Sequence, residues 1–228
     1  GPWRAKEIYE KADALLGRIT RADLEKRILT KRHQDSVRAL GLLPLPPADR
    51  EAELLSRYQV IQAFRRGSRQ FGPQRRENEG RAAQIALENL ARAAGYPDPL
   101  RLTWAMEGRE MAEWLSGPLS AAVGDVTVRL VFDEVGAAEL LIDRAGRKLK
   151  SIPAAARKDP AVVDLRDRRR AIAEQQKRMR PALEGAMCRE EIFLAGELRH
   201  LLTHPTLAPM LAQLVWMGAS EAGAACLG

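Results

Sequence analysis

A single change of hydrophobic period constrains this fold more than any other feature of the sequence. From residue 124 to residue 152 the period changes from helical to two, most plainly at its start. Val126, Val128, Leu130 and Phe132 alternate with Thr127, Arg129 and Val131, whereas the flanking stretches repeat at three and four. Alternation is the signature of a strand with one buried face, and a three-to-four repeat that of an amphipathic helix. Residues 138–143 and 147–152 read as two more short strands, with turn signals at Val135-Gly136 and Ala145-Gly146, which predicts a three-stranded antiparallel meander at about 125–152. So small a sheet is not stable alone and must lay its apolar face on helices. The expected class is therefore mainly α (α+β), with helical bundle-like segments around a small three-stranded β-meander.

Helices are expected on both sides. Before the sheet the spacing predicts them over 3–18, 20–40, 48–68, 74–94 and 99–115, with Thr20 as an N-cap. The stretch 41–47 holds three prolines and reads as a linker or hinge, because proline fixes an extended path and donates no backbone hydrogen bond. After Pro153, Pro160 opens a long helix in which Leu165, Ile172 and Met179 recur every seven residues, and Pro181 is placed to kink it. Helices over 189–204 and 205–217 follow. The domain reading is an N-terminal helical segment with linker (3–47), a core (48–217) and an aperiodic tail (218–228) expected to fray.

The 228 residues suffice for a packed core without metal or disulfide support. The cysteines, Cys188 and Cys226, have no metal-ligand spacing, which suits a reducing compartment, so the expected location is cytoplasmic. No apolar run reaches the roughly 18 to 20 residues of a membrane helix, and no membrane partner is expected. Gly1-Pro2 reads as a remnant of tag removal and is set aside. A net charge of +7 favours an anionic partner, although ordinary solubility also accounts for it.

Four groups of polar residues are candidates for chemistry. Arg65, Arg66, Arg69, Arg75, Arg76 and Arg81 crowd a turn that opens a helix, an arrangement suited to anion or partner binding, unless they pair with Glu77 and Glu79. Residues 164–180 hold seven basic against three acidic residues. Within them Arg166, Arg169, Arg170, Lys177 and Arg178 are candidate nucleic-acid contacts, the alternative being a solvated helix face. His200 and His204 stand four apart, so on one helix they would share a side and could bind a metal with Glu197 nearby. A third ligand would have to come from elsewhere, Cys188 being the candidate close in sequence, and the expected reading is a helix-end histidine beside Pro205 with no metal site. Glu107, Glu110 and Glu113 form a row on one helix, for which salt bridging to Arg101 or Arg109 is the expected role. The chain has neither a nucleophile-elbow pattern nor an HExxH pattern, so no catalytic residue and no cofactor is expected.

Several segments carry a family resemblance. These are Ser68-Arg-Gln-Phe-Gly-Pro-Gln-Arg-Arg, the run from Ala86 through Gly95-Tyr-Pro-Asp-Pro to Glu107, Lys148-Leu-Lys-Ser-Ile-Pro, Lys158-Asp-Pro, His204-Pro and Leu214-Val-Trp. Together, over roughly 50–217, they resemble the bacterial domain of unknown function 4132, the MolR-like proteins. The resemblance implies an internal fragment of a longer protein, often bearing a WGR domain, although this chain has no Trp-Gly-Arg triplet. It also implies protein partners of the MoxR-type AAA+ ATPase or von Willebrand A-domain kind. Three functions are expected in order: a non-enzymatic scaffold or interaction module, a nucleic-acid-binding module, and a phosphate-ligand-binding or regulatory domain with Arg69, Arg75 and Arg76 as ligands.

Overall fold

The computed structural model describes residues 12–14, 16, 18–220 and 223–227. Most of the helix expected over 3–18 lies outside them. The described chain is mainly α with β, and it divides into two compact units, residues 1–106 and 107–228.

In the first unit the helices are α1 (Arg21–Lys31), α2 (Gln34–Leu40), α3 (Arg50–Gly67), α4 (Pro73–Ala94) and α5 (Pro99–Ser116), with a 3-10 turn at Ser68–Gln70. The division between the units falls inside α5. Thr20 caps α1 by accepting from the Asp23 N–H at 3.2 Å. Leu24 and Ile28 of α1, Leu54 and Ile61 of α3, and Leu87 and Leu90 of α4 fill one core.

Two expectations are corrected here. The single helix predicted over 20–40 is two, because Arg32 adopts a left-handed backbone (φ 49°) that stops α1. The stretch 41–47 is a packed connection and no hinge: Arg57, 2% exposed, donates to the carbonyls of Leu43 (2.6 Å) and Pro44 (3.0 Å). Gly41 at its start lies so close to α4 that a Cβ would sit 2.3 Å from the Ala86 carbonyl oxygen.

The second unit holds β1 (Ser120–Val123), β2 (Val126–Phe132), β3 (Ala138–Arg144) and β4 (Arg147–Leu149), followed by α6 (Pro160–Cys188), α7 (Ala195–Leu201), α8 (Ala208–Leu211), β5 (Trp216–Ser220) and β6 (Gly223–Leu227). The first sheet is an antiparallel meander in the order β1-β2-β3-β4, with Val128 opposite both Ala121 and Ile142. It has four strands where three were expected, because β1, too short for a visible alternation, pairs with β2 across Gly124 (φ 59°). Its inward residues Val126, Val128, Leu130 and Ile142 meet Val162, Leu165 and Ile172 of α6 in a second core. Asp159 caps α6 by accepting from the Ala161 and Val162 N–H groups, and the helix continues through Pro181.

The end of the chain departs most from expectation. The helix predicted over 189–204 is confined to α7, and that over 205–217 to α8. The supposed tail pairs as β5 and β6, with Trp216 opposite Leu227. The stretch is rich in glycine and alanine, whose small side chains carry little periodic signal.

A matched pair of substitutions checks the packing of α4. Gly41→Ala drives a methyl into backbone and should cost about 2 kcal/mol, whereas Gly80→Ala, with nothing within 4 Å of its Cβ position, should gain about 0.5–1 kcal/mol of helix propensity. Urea midpoints of the two variants moving in the same direction would contradict this account.

Candidate functional site

The arginine-rich turn is organised around an acid at its centre. Glu79, in the second turn of α4, is 1% exposed. Arg32 grips both its oxygens, Nε at 3.1 Å from each and Nη2 at 2.6 Å from Oε2. Arg75 adds a bond from Nε to Oε1 at 2.9 Å. The two guanidiniums also lie over aromatic rings, Arg32 at 4.4 Å from the centre of Phe64 and Arg75 at 3.7 Å from that of Phe71. Burial alone would raise the Glu79 carboxyl, but the bonds and charges of the two arginines hold it below the ordinary carboxylate range. Arg32 completes the knot by donating to the Phe64 carbonyl at 2.7 Å.

The six arginines therefore divide. Arg75 belongs to this knot, and Arg81 pairs with Glu77 at 3.2 Å on the surface. Arg65, Arg66, Arg69 and Arg76 are exposed and form no ion pair among the described residues. A recess of about 450 Å³ in this unit is lined by Lys31, Arg32, His33, Asp35, Arg38 and Arg81, among others. Of the six arginines Arg81 alone contributes to it; Arg75 is turned to the buried Glu79, and Arg69 and Arg76 are exposed.

In the second unit a polar group around buried Gln175 and Glu107 joins α5 and α6. Gln175, fully buried, donates from Nε2 to the Glu107 carbonyl at 2.8 Å, and Arg178 pairs with the Glu107 carboxylate at 2.7 Å. The carboxylate row spirals from this buried Glu107 through half-buried Glu110 to exposed Glu113, so the three do not converge. Arg178, expected to face nucleic acid, is a partner of Glu107.

His204, 4% exposed, lies beyond the end of α7 at Leu201, so His200 and His204 do not share a helix face. The His200 side chain lies outside the described ones. The Nδ1 of His204 accepts from the Thr206 N–H at 3.2 Å, which places the ring proton on Nε2. Burial pushes the imidazole down to about 4. Among the described residues no group of three His, Cys, Asp or Glu side chains is placed to hold a metal ion.

The second unit also carries an apolar groove of about 330 Å³. Val135 of the β2–β3 turn, Leu183 and Met187 of α6, and Met210 and Leu214 beyond it line the floor, with Gln176, Arg180, Glu184 and Gln213 at the rim. Arg180 and Glu184 pair at 3.2 Å, leaving the rim neutral. Sequence reading placed Val135 in a turn and the other four on separate amphipathic helices and missed the groove, because nothing local brings a turn between strands beside the end of α6.

Comparison with known families divides the chain in a similar place. Residues 6–106 match a family of unknown function (DUF5724), and residues 146–226 match a domain of unknown function (DUF4132). The resemblance drawn above over 50–217 is thereby narrowed: its segments in 68–106 fall within the first match, and the likeness to DUF4132 begins at 146 and runs past 217 to 226. No curated protein and no solved structure matches the chain.

Two measurements check these sites. Glu79→Gln leaves Arg32 with no counter-charge and should lower stability by about 3 kcal/mol, whereas Arg75→Gln, at a half-exposed position, should cost under about 1 kcal/mol. For His204 the unfolded chain binds the proton more readily than the folded one between pH 6.5 and 4. Stability should therefore fall as pH drops through that window, by on the order of 3 kcal/mol, and level off below it. Urea midpoints should show His204→Gln lacking this component. An identical pH profile in the variant would remove His204 as its source.

Proposed function

We propose that this chain is a non-enzymatic interaction module of a larger, cytoplasmic, bacterial protein of the MolR-like type, and that its second unit takes an uncharged apolar segment of a partner protein into the groove between α6 and the β2–β3 turn. The observation that carries this reading is the concentration of exposed apolar side chains. Of eleven large ones among the described residues, six fall between Met187 and Met217. Two of the eleven, Met187 and Val135, line the groove itself, and exposed apolar side chains gathered at a concave surface mark contact sites. The chemistry of the groove narrows the occupant. Met187 and Met210 are unbranched and polarizable, and so adapt to varied apolar shapes. The paired charges at the rim offer nothing to a strongly charged ligand. Laying the apolar face of a helix into such a groove is a common mode of recognition.

Partners of the MoxR-type AAA+ ATPase or von Willebrand A-domain kind fit this reading as the bearers of such a segment. The test is selection of a displayed peptide library on the immobilised chain. Amphipathic sequences with apolar residues three and four apart should be enriched, and their binding should fall at least tenfold in Met187→Glu, with the fold unaffected because the position is half exposed. No enrichment, or enrichment of acidic sequences indifferent to Met187→Glu, would overturn the proposal.

A further inference from the structure

The basic residues of α6 separate into two sets. Arg168 donates to the carbonyls of Trp114 (2.7 Å) and Pro118 (3.4 Å) and pairs with Asp164 at 2.6 Å. Arg178 is held by Glu107, and Arg180 by Glu184. Arg166, Arg169, Arg170 and Lys177 remain. All four are exposed, and none forms an ion pair among the described residues. At about 100° per residue they fall within an arc of about 100° on one side of the helix, and at 1.5 Å per residue they span about 16 Å along it. Ala173 lies in the middle of that arc and no large apolar side chain shares it, while Asp167 and Glu174 stand on the adjoining side.

We infer that this stripe binds the phosphate backbone of a nucleic-acid duplex without regard to its sequence. Four cations in a row over a rigid helix match the demand of a phosphate backbone, which presents closely spaced charges and needs no pocket. A protein partner would need apolar or aromatic anchors at the centre of the contact, and the arc offers only Ala173. A helix lying in a membrane interface would also present an apolar face, and that of α6 is buried against the sheet. The arc carries no aromatic side chain on which unpaired bases would stack, so the duplex is favoured over a single strand. This site is separate from the groove, and the two proposals stand or fall independently.

Fluorescence anisotropy of a labelled DNA duplex of about 20 base pairs, titrated with the whole chain, tests the inference. With four phosphate contacts the slope of log affinity against log salt should be near −3.6, a loss of about a hundredfold between roughly 50 and 200 mM salt. The double variant Arg166→Gln with Arg170→Gln should reduce the slope by about two contacts. Lys148→Gln with Lys150→Gln, two exposed cations in and after β4, changes the net charge equally and should leave binding in place. Circular dichroism establishes that both variants are folded. Absence of binding at low salt, an equal loss in the two double variants, or a polyglutamate peptide of equal charge competing as well as the duplex would each overturn it, the last pointing to an acidic protein instead.

Discussion

The first unit depends on one buried carboxylate. Glu79 is removed from water with a full charge, which is costly unless every lone pair meets a donor, and Arg32 meets that demand with a two-pronged grip while Arg75 closes the remaining side. Satisfying Glu79 requires Arg32 to reach across from the end of α1, and the left-handed backbone at Arg32 ends that helix there. The break between α1 and α2, the turn after α3 and the start of α4 are thus held by the same pair. Lysine could not replace Arg32, because a single ammonium lacks the planar fork and stacks less well on Phe64. Arg57 does similar work nearby, binding Glu53 on one side and two loop carbonyls on the other.

This explains what was legible in the sequence and what was not. Long periodic elements were readable: the expected helices over 48–68, 74–94 and 99–115 correspond to α3, α4 and α5 within two residues at each end, because apolar spacing and proline or glycine punctuation act locally. The alternation of Val126 to Phe132 likewise revealed a strand. Features set by tertiary partners were not readable. Nothing in Lys31-Arg-His signals a helix end, since the residue that adopts the left-handed conformation is an arginine whose partner lies forty-seven positions away. The role of Arg178 was misread for the same reason, its acid being on another helix. The charge count over 164–180 was correct, but only coordinates distinguish cations that bond to the fold from those that face solvent.

α6 serves the second unit on several sides. Val162, Leu165 and Ile172 cover the sheet, Gln175 and Arg178 fasten α5, Leu183 and Met187 form the groove, and the exposed cations face outward. These demands are compatible because 3.6 residues per turn send neighbouring positions in different directions, and because the groove lies further along the helix than the sheet. They also explain why apolar, basic and amide residues interleave along this helix.

The order β1-β2-β3-β4 has a consequence for how the chain is made. Every strand pairs with the one synthesised just before it, so the sheet can assemble as soon as Leu149 has emerged from the ribosome. Much of its cover is not yet available, because Ile172 of α6 lies twenty-three residues further on and is still inside the exit tunnel, although Met111 of α5 is already out. At about 5–20 residues per second the naked apolar face waits roughly 1–5 s. During that interval the nascent sheet is a target for chaperones and for misassociation, and the speed of translation through this segment sets how long the danger lasts.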